Sequence, residues 1–515
     1  MDRSGSDNRI RGQRWLVVLT LMAQIALIIA CVMSTRPDLN WKERNRHHRQ
    51  YEELSAAMRN GHLWLEEVPP DSLQEMDNPY DYLARCEQGY LSGDDYLSDT
   101  SYYKGHYYVY FGIVPELLLF LPCILLTGHV LPTWAAVLLC ACLYSAGLYF
   151  FLHQLCRIYF RNTGTGILLL LDWAMFGATQ TLFIAHYASV YTMPLIAGMM
   201  CGVFGLSFWL KASGENRLGK MSRRYLLAGS VLTALVIGCR PQMAILVFLA
   251  FPIFGKQIRE GKFFRLTKES VLNTLCVIGP WLILGGLFLW YNAVRFEDPL
   301  EFGVRYLLTV TDMTNVRPEL KRIPVGIYFH LLQPMHFTSE FPFVRGVNTA
   351  LPGTEGLYIE PLTGGFFAIN LIALPGLLLP LLRLWRNGGN GGTQNKNVWQ
   401  MGSVSLLSAA VLTLLDILMA GISQRYQADY AFLYMLASLV VILSLYESCG
   451  NGERKETGEC KRANIRKGSI TAVLTALTIL CVCLNILITL SEDMYFSVKS
   501  LNPEGFEWIL KLFCS

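Results

Sequence analysis

The sequence predicts an all-α polytopic membrane protein with about 11 transmembrane helices, and three observations carry that expectation. Of the 515 residues, 16% are Asp, Glu, Lys or Arg and 53% are hydrophobic, against roughly 25% charged in an ordinary soluble domain. The apolar residues fall in long runs nearly free of charge, each close to the roughly 20 residues a helix needs to cross a bilayer. Between the runs, Lys and Arg gather in short connections that alternate with less basic ones. This composition excludes a soluble multidomain enzyme, a disordered chain and a secreted disulfide scaffold. A formal net charge of +4 is too small to argue for nucleic acid. The 14 Cys sit mostly inside apolar runs, as at Cys140, Cys142, Cys201, Cys276, Cys481 and Cys483, and no spacing among them suits zinc.

The spans are expected at 15–33, 132–153, 165–183, 188–210, 224–239, 241–255, 271–292, 365–382, 401–421, 430–446 and 470–489. With the N-terminus inside, the inner segments are 1–14, 156–162, 211–224, 256–268, 383–396 and 450–467, and they hold 25 of the 43 Lys and Arg. That bias predicts an integral multi-pass cell membrane protein with its N-terminus inside and its C-terminus outside. Ile28-Ile29-Ala30-Cys31 superficially resembles a lipoprotein cleavage site. The apolar run before it is long enough to be an anchor and further spans follow, so it reads as part of an uncleaved first span. Phe111–Leu126 is apolar but contains Pro115, Glu116 and Pro122. As a span it would move Arg157, Arg161 and every later basic loop outside. It therefore reads as a re-entrant or surface helix, covered by protein or lining a cavity.

The chain accordingly divides into an inner tail and first span (1–33), a first outer loop with juxtamembrane helices (34–131) and spans two to seven (132–292). A second large outer segment (293–364), spans eight to eleven (365–489) and an outer tail (490–515) follow. The inner loops are short and hold no soluble domain. Neither a GxxxxGK[ST] loop nor a strand-linked GxGxxG occurs, so nothing points to cytosolic nucleotide chemistry.

In the first outer loop, Gln50–Asn60 reads as an amphipathic helix with Tyr51, Leu54 and Met58 on one face and Gly61 in the left-handed position that stops it. Asn78-Pro79-Tyr80-Asp81 reads as a helix start with Asn78 as N-cap, Pro79 at N1 and Asp81 at N3, ended by Gly89. Lys104-Gly105 between aromatic runs predicts a tight turn. Tyr102, Tyr103, Tyr107, Tyr108 and Tyr110 crowd around it, suiting an interfacial aromatic belt or a wall for a sugar or lipid headgroup.

Isolated ionisable groups beside apolar runs mark candidate sites. Arg240 stands between two such runs, next to Pro241. Arg295 and Arg305 flank Asp298-Pro299-Leu300-Glu301, which reads as a capping-box helix start. Arg425 and Asp429 are four apart and fit an i,i+4 pair. Asp416, near the outer end of span nine, is placed to partner Arg240 or Arg425. Asp172 falls near the inner end of span three. The outer acids are Asp38, Glu52, Glu53, Asp81 and Asp99. Of these, Glu52 and Glu53 read as the solvated face of their helix, and Asp81 at N3 also suits the helix dipole without any chemistry. His47 and His48 suit either a base or a hydrophilic pair amid Arg44, Arg46 and Arg49.

The order of these parts resembles the GT-C class of polytopic glycosyltransferases, which includes the protein O-mannosyltransferases and the bacterial transferases that put aminoarabinose on lipid A. It also resembles a set of bacterial membrane proteins placed near that class. Gln50–Leu65 is similar to the class's helix-then-Gly segment, Tyr107–Leu126 to its aromatic and Pro-bearing surface helix, and Thr133–Arg161 to its second span. Arg224–Pro241 is similar to its helical hairpin with a basic residue at the outer turn. The resemblance implies transfer of a sugar from a polyprenyl-phosphate donor to a glycan, lipid or protein acceptor at the outer face. It names no metal ligands and leaves a divalent cation open as cofactor.

Such transfer needs a base at the acceptor hydroxyl, cations at the leaving phosphate and a carboxylate near the oxocarbenium-like carbon. Asp99, Asp81 and Asp38 are the candidate catalytic acids. Arg240, Arg295, Arg305 and Arg425 are the candidate phosphate cations, and Tyr107, Tyr110 and His47 the other candidate substrate contacts. The class usually carries an acid about four residues before the aromatic of the first loop helix, where this chain has His47, and another near Tyr191-Thr192-Met193-Pro194, where it has none. A non-catalytic relative that binds lipid-linked glycan is therefore an alternative. So is a transporter or flippase, although no inverted internal repeat accompanies it.

Overall fold

The computed structural model describes residues 3–35, 48–89, 96–214, 221–315, 318–347, 360–386, 393–419, 421–449, 457–491 and 497–513. Seven described helices are long and apolar enough to cross a membrane, beginning at Gln13, Thr133, Thr192, Lys268, Lys396, Gln424 and Ile465. Shorter apolar helices cover Thr165–Ala178, Pro241–Ile253 and Leu371–Leu382, and a further helix covers Arg223–Leu235. Apart from a fourth short apolar helix, Glu116–Thr127, these helices fall at the positions of the 11 expected spans. The protein is an all-α polytopic membrane protein.

The long helices are labelled α1 (Arg3–Ser34), α2 (Thr133–Tyr159), α3 (Thr192–Ser213), α4 (Lys268–Phe296), α5 (Thr393–Met419), α6 (Gln427–Ser448) and α7 (Thr457–Thr489). The most buried are α3 and α6, while α1 and α4 keep most of their apolar side chains on the outside. In water such exposure would be costly, but lipid tails solvate these side chains as well as a protein core does. Small residues let the inner helices meet closely. A Cβ on Gly229 would stand 2.4 Å from the Trp209 ring of α3, and the Trp209 indole donates to Ser230 Oγ at 3.0 Å.

The helix ends fall into two sets. At one end, Asn162 N donates to Glu447 (3.0 Å), Gln257 Nε2 to Ser213 O (2.7 Å) and Arg259 Nη2 to Asn397 Oδ1 (2.9 Å). These positions lie in or beside the segments expected inside. The segments expected outside meet at the other end. There Asn502 Nδ2, just before the terminal helix Pro503–Phe513, donates to Ser34 O at the end of α1.

The described residues of the loop between α1 and α2 pack as a folded layer. Its helix Gln50–Arg59 buries Tyr51 and Leu54, and Gly61 ends it at φ +90°. Pro115, Pro122 and a π-helical turn at Glu116–Phe120 shape the short apolar helix after the Tyr-rich ribbon. The Tyr51 ring stacks on Phe120 with centroids 5.5 Å apart. The hairpin pairs β1 (Ser101–Tyr103) with β2 (His106–Tyr108). Its turn is Lys104-Gly105, both at positive φ, the twist that two-residue hairpins favour.

Four local expectations need correction. Asp81, in extended backbone, is itself the N-cap of the helix Tyr82–Glu87, and its carboxylate accepts from Leu83 N and Ala84 N. Asn78 Oδ1 instead accepts from Tyr80 N, and Asn78 Nδ2 donates to Asp312. Glu52 is buried rather than solvated: its Oε1 accepts from Thr133 N and Oγ1, both at 2.9 Å. An anion is thereby placed on the exposed N–H groups and positive dipole end of α2. The segment Asp298–Glu301 is a turn, not a helix start. Glu301 Oε1 accepts from Gly303 N and Arg305 N there. Lastly, Arg425 and Asp429 do not pair with each other. Arg425 lies in a 3-10 turn before α6 begins, and each takes a partner from a distant segment.

Candidate functional site

A cavity of about 810 Å³ opens where the outer-set ends converge. Each wall comes from a different part of the chain. The first loop contributes Asp99 and Tyr110, and the connection before α3 contributes Tyr187 and Tyr191. The turn between Gly238 and Pro241 contributes Arg240, and the segment after α4 contributes Phe302, Val304, Leu307–Thr311 and Met313. Leu415, Asp416 and Met419 reach it from the end of α5, and Arg425 from the turn before α6.

Close backbone approach sets this convergence. Gly112 lies against the Arg240 turn so tightly that a Cβ there would stand 2.1 Å from Gly238 O. Tyr51, buried in the loop helix, donates its hydroxyl to Gly112 O at 2.8 Å. The second outer segment is stitched to the same loop, with Asp99 N donating to Leu308 O (2.9 Å) and Leu308 N to Thr100 O (3.0 Å).

Arg240 and Asp429 form a two-point pair, Nε to Oδ1 at 2.6 Å and Nη2 to Oδ2 at 2.7 Å. Arg425 Nη1 lies 2.9 Å from Glu360 Oε1, and its guanidinium sits over the Tyr191 ring, 4.7 Å from the centroid. Glu360 Oε2 also accepts a hydrogen bond from Ser423 Oγ. Asp99, at φ +51°, accepts a hydrogen bond from the Tyr191 hydroxyl. Burial pushes the Tyr191 and Tyr110 phenols well above their ordinary range, so both are neutral hydroxyls. His48 borders the cavity, its ring 5.3 Å from Tyr187 and 5.6 Å from Tyr191.

Of the residues singled out from sequence, Asp99, Tyr110, Arg240 and Arg425 line the cavity. Asp81 is a helix cap away from it. Arg295 is buried elsewhere: Nη1 donates to Val109 O at 2.7 Å, Nη2 to Asn292 Oδ1 at 2.9 Å, and the guanidinium stacks 3.9 Å from the Tyr291 ring centroid. Arg305 is exposed beside the turn and does not line the cavity. Tyr107 is buried in the hairpin, its carbonyl accepting from Leu65 N. Asp38 and His47 lie outside the described residues. Asp172 is buried in a separate contact, accepting from Gln24 Nε2 at 2.9 Å, while Gln24 Oε1 accepts from Ser145.

Sequence reasoning missed Tyr187, Tyr191 and Glu360. The two tyrosines had a signal, the polar, Pro-bearing break Ser189–Pro194 ahead of an apolar run. Glu360 had none, because its role depends on a partner 65 residues away. Among the described residues, no group of three or more His, Cys, Asp or Glu is placed to hold a metal ion.

The rim of the cavity is apolar. Val304, Val310, Leu415 and Met419 all line it and are between 38% and 57% exposed. Charged pairs thus form the inner wall, and hydrocarbon forms the edge next to the spans.

No protein-family model matches the sequence, and no curated protein matches it. Among solved structures the chain is similar to ArnT from Cupriavidus metallidurans, crystallised with undecaprenyl phosphate bound. The identity is 11%, over 96% of this chain and 78% of that one, with a TM-score of 0.44. Residue roles in this chain therefore rest on its own geometry.

Proposed function

We propose that the protein is a membrane glycosyltransferase that moves a sugar from a polyprenyl-phosphate donor to an acceptor at the outer membrane face. The observation that carries this reading is the union of two partly buried, ion-paired arginines with an exposed apolar rim in one cavity at the ends of the spans. A phosphate beside lipid needs a fixed cation because water screens it poorly there. A prenyl chain needs an apolar edge open to the bilayer. Arg240 donates Nη2–H to Asp429 Oδ2, with Nε in ion-pair contact with Oδ1, and a guanidinium has five N–H groups, so donors remain for phosphate oxygens.

In this reading the bond between the anomeric carbon and the phosphate oxygen breaks. The departing charge stays on the polyprenyl phosphate, held by Arg240 and Arg425. The acceptor oxygen bonds to the anomeric carbon and passes its proton to Asp99, which the Tyr191 hydroxyl orients. The N-terminus lies inside and the cavity faces outward, as the Lys and Arg bias suggests.

The test is a transfer assay in proteoliposomes with a panel of polyprenyl-phosphate sugars. Transfer by the wild type, with strong loss in Arg240→Ala and Arg425→Ala variants that insert normally, supports the assignment. Wild-type binding of the donors without transfer to any acceptor would favour a non-catalytic lipid-glycan binding protein. That second reading draws on the absence of an acid at His47 and at Tyr191–Pro194.

A further inference from the structure

The acids around the cavity differ in how they are occupied. Asp429 accepts a hydrogen bond at Oδ2 from Arg240 Nη2, and its Oδ1 is in ion-pair contact with Arg240 Nε. Glu360 gives one to Arg425 and one to Ser423. Asp99 accepts from the Tyr191 hydroxyl. Asp416 also lines the cavity, near the end of α5, and is only 2% exposed. Its Oδ2 is buried without a hydrogen-bond partner. It lies within electrostatic reach of Arg240 and Asp429, so two carboxylates share one guanidinium, and that guanidinium has bonded to the other.

A buried carboxyl with an idle oxygen is costly unless something completes it. The neighbours do not supply the donor: Leu415 and Met419 beside it on the wall are apolar. Asp416 itself borders the cavity. A ligand hydroxyl fits this vacancy, since a carboxyl oxygen accepts such a donor. The oxygens of an ionised phosphate do not fill it, because they carry no hydrogen to donate.

We propose that Asp416 is a substrate-binding residue that accepts a hydrogen bond from a hydroxyl of the ligand's sugar, and so distinguishes a glycosylated lipid phosphate from the bare one. This rests on the glycosyltransferase reading above. It divides the cavity by chemistry. The arginines face the phosphate, which both lipids carry, and Asp416 faces the sugar, which only one carries.

The experiment measures binding of polyprenyl-phosphate glucose and of polyprenyl phosphate to the full-length protein in nanodiscs. Wild type, Asp416→Ala and Asp416→Asn are compared after thermal unfolding has confirmed that each is folded. Asp416→Ala is expected to weaken the glycosylated lipid at least tenfold and to leave the bare lipid within about twofold. Asp416→Asn, which keeps an acceptor oxygen and the volume, is expected to fall between. If Asp416 merely supports Arg240, both lipids weaken together and their ratio stays at the wild-type value, which overturns the proposal. An unchanged affinity for both lipids overturns it as well. If the wild type binds neither lipid, the glycosyltransferase reading itself fails and this inference falls with it.

Discussion

Arg240 and Asp429 stand 189 residues apart in sequence and meet through two contacts, 2.6 Å and 2.7 Å long, at the inner wall of the cavity. One comes from the turn after Gly238 and the other from the first turn of α6. The pair therefore fixes the spacing of two membrane segments as well as holding a cation at the cavity.

Removing one partner strands the other. Arg240→Ala is expected to destabilise the protein by roughly 3–5 kcal/mol, because Asp429 is then a buried charge without a counterion. Arg240→Met combined with Asp429→Leu should recover much of that stability while leaving transfer abolished. Thermal unfolding in detergent alongside the transfer assay separates the two effects. Equal stability of wild type and Arg240→Ala would contradict the pairing.

Glu52 should matter for stability rather than for chemistry. Glu52→Ala removes the acceptor for Thr133 N and Oγ1 and is expected to cost about 1–2 kcal/mol. Glu52→Gln keeps an acceptor and should cost less. Chemical denaturation of the three proteins orders them, and turnover of the folded variants should match the wild type.

The contact of Gly112 with the Arg240 turn leaves no room for a methyl group. Gly112→Ala is expected to cost roughly 3 kcal/mol through overpacking and to push the first outer loop off the turn. Donor affinity should drop with stability. A Gly112→Ala protein with wild-type affinity would show that the loop and turn need not touch.

His330, in the second outer segment, is buried, with Nε2 donating to Gly421 O and Nδ1 facing the Tyr430 hydroxyl, both at 3.1 Å. Burial lowers its pKa to about 4, below the roughly 6.5 of an unfolded chain. Below that higher value the unfolded state binds the proton and the native state does not. Its contribution is therefore intact above pH 6.5 and is lost as pH falls toward 4, on the order of 3 kcal/mol. A His330→Gln variant should show a flatter acid limb in a stability profile. An unchanged limb would assign the acid sensitivity elsewhere.

Asp99→Asn is expected to lower turnover by a factor of 10² or more while leaving donor affinity nearly unchanged. Steady-state kinetics with separately measured donor binding checks this. Full turnover in Asp99→Asn would move the catalytic role to another acid of the first loop. Sidedness has its own test: an impermeant thiol reagent outside cells should reach Cys substituted in 96–105 and 300–315 and not in 212–222.

The sequence by itself determined the membrane architecture. Span positions follow from local hydropathy, which no distant contact alters, and the turns at Gly61, Gly89 and Lys104-Gly105 follow from residues that tolerate positive φ. It also singled out Arg240, Arg425, Asp99 and Tyr110, because an ionisable or polar group at the end of an apolar run is conspicuous in one dimension. Tertiary structure decided their partners. Spacing suggested that Arg425 and Asp429 bond to each other, yet each found a closer opposite charge, in Glu360 and in Arg240. Spacing could not separate Arg295, spent on Val109 and Asn292, from Arg240 on the cavity wall. Nor could it show that Glu52 caps α2 or that Asp416 is left with an idle oxygen. The physical reason is the same each time. Burying a charge in a low-dielectric interior is tolerable only beside its partner, and which partner is near depends on how the helices pack.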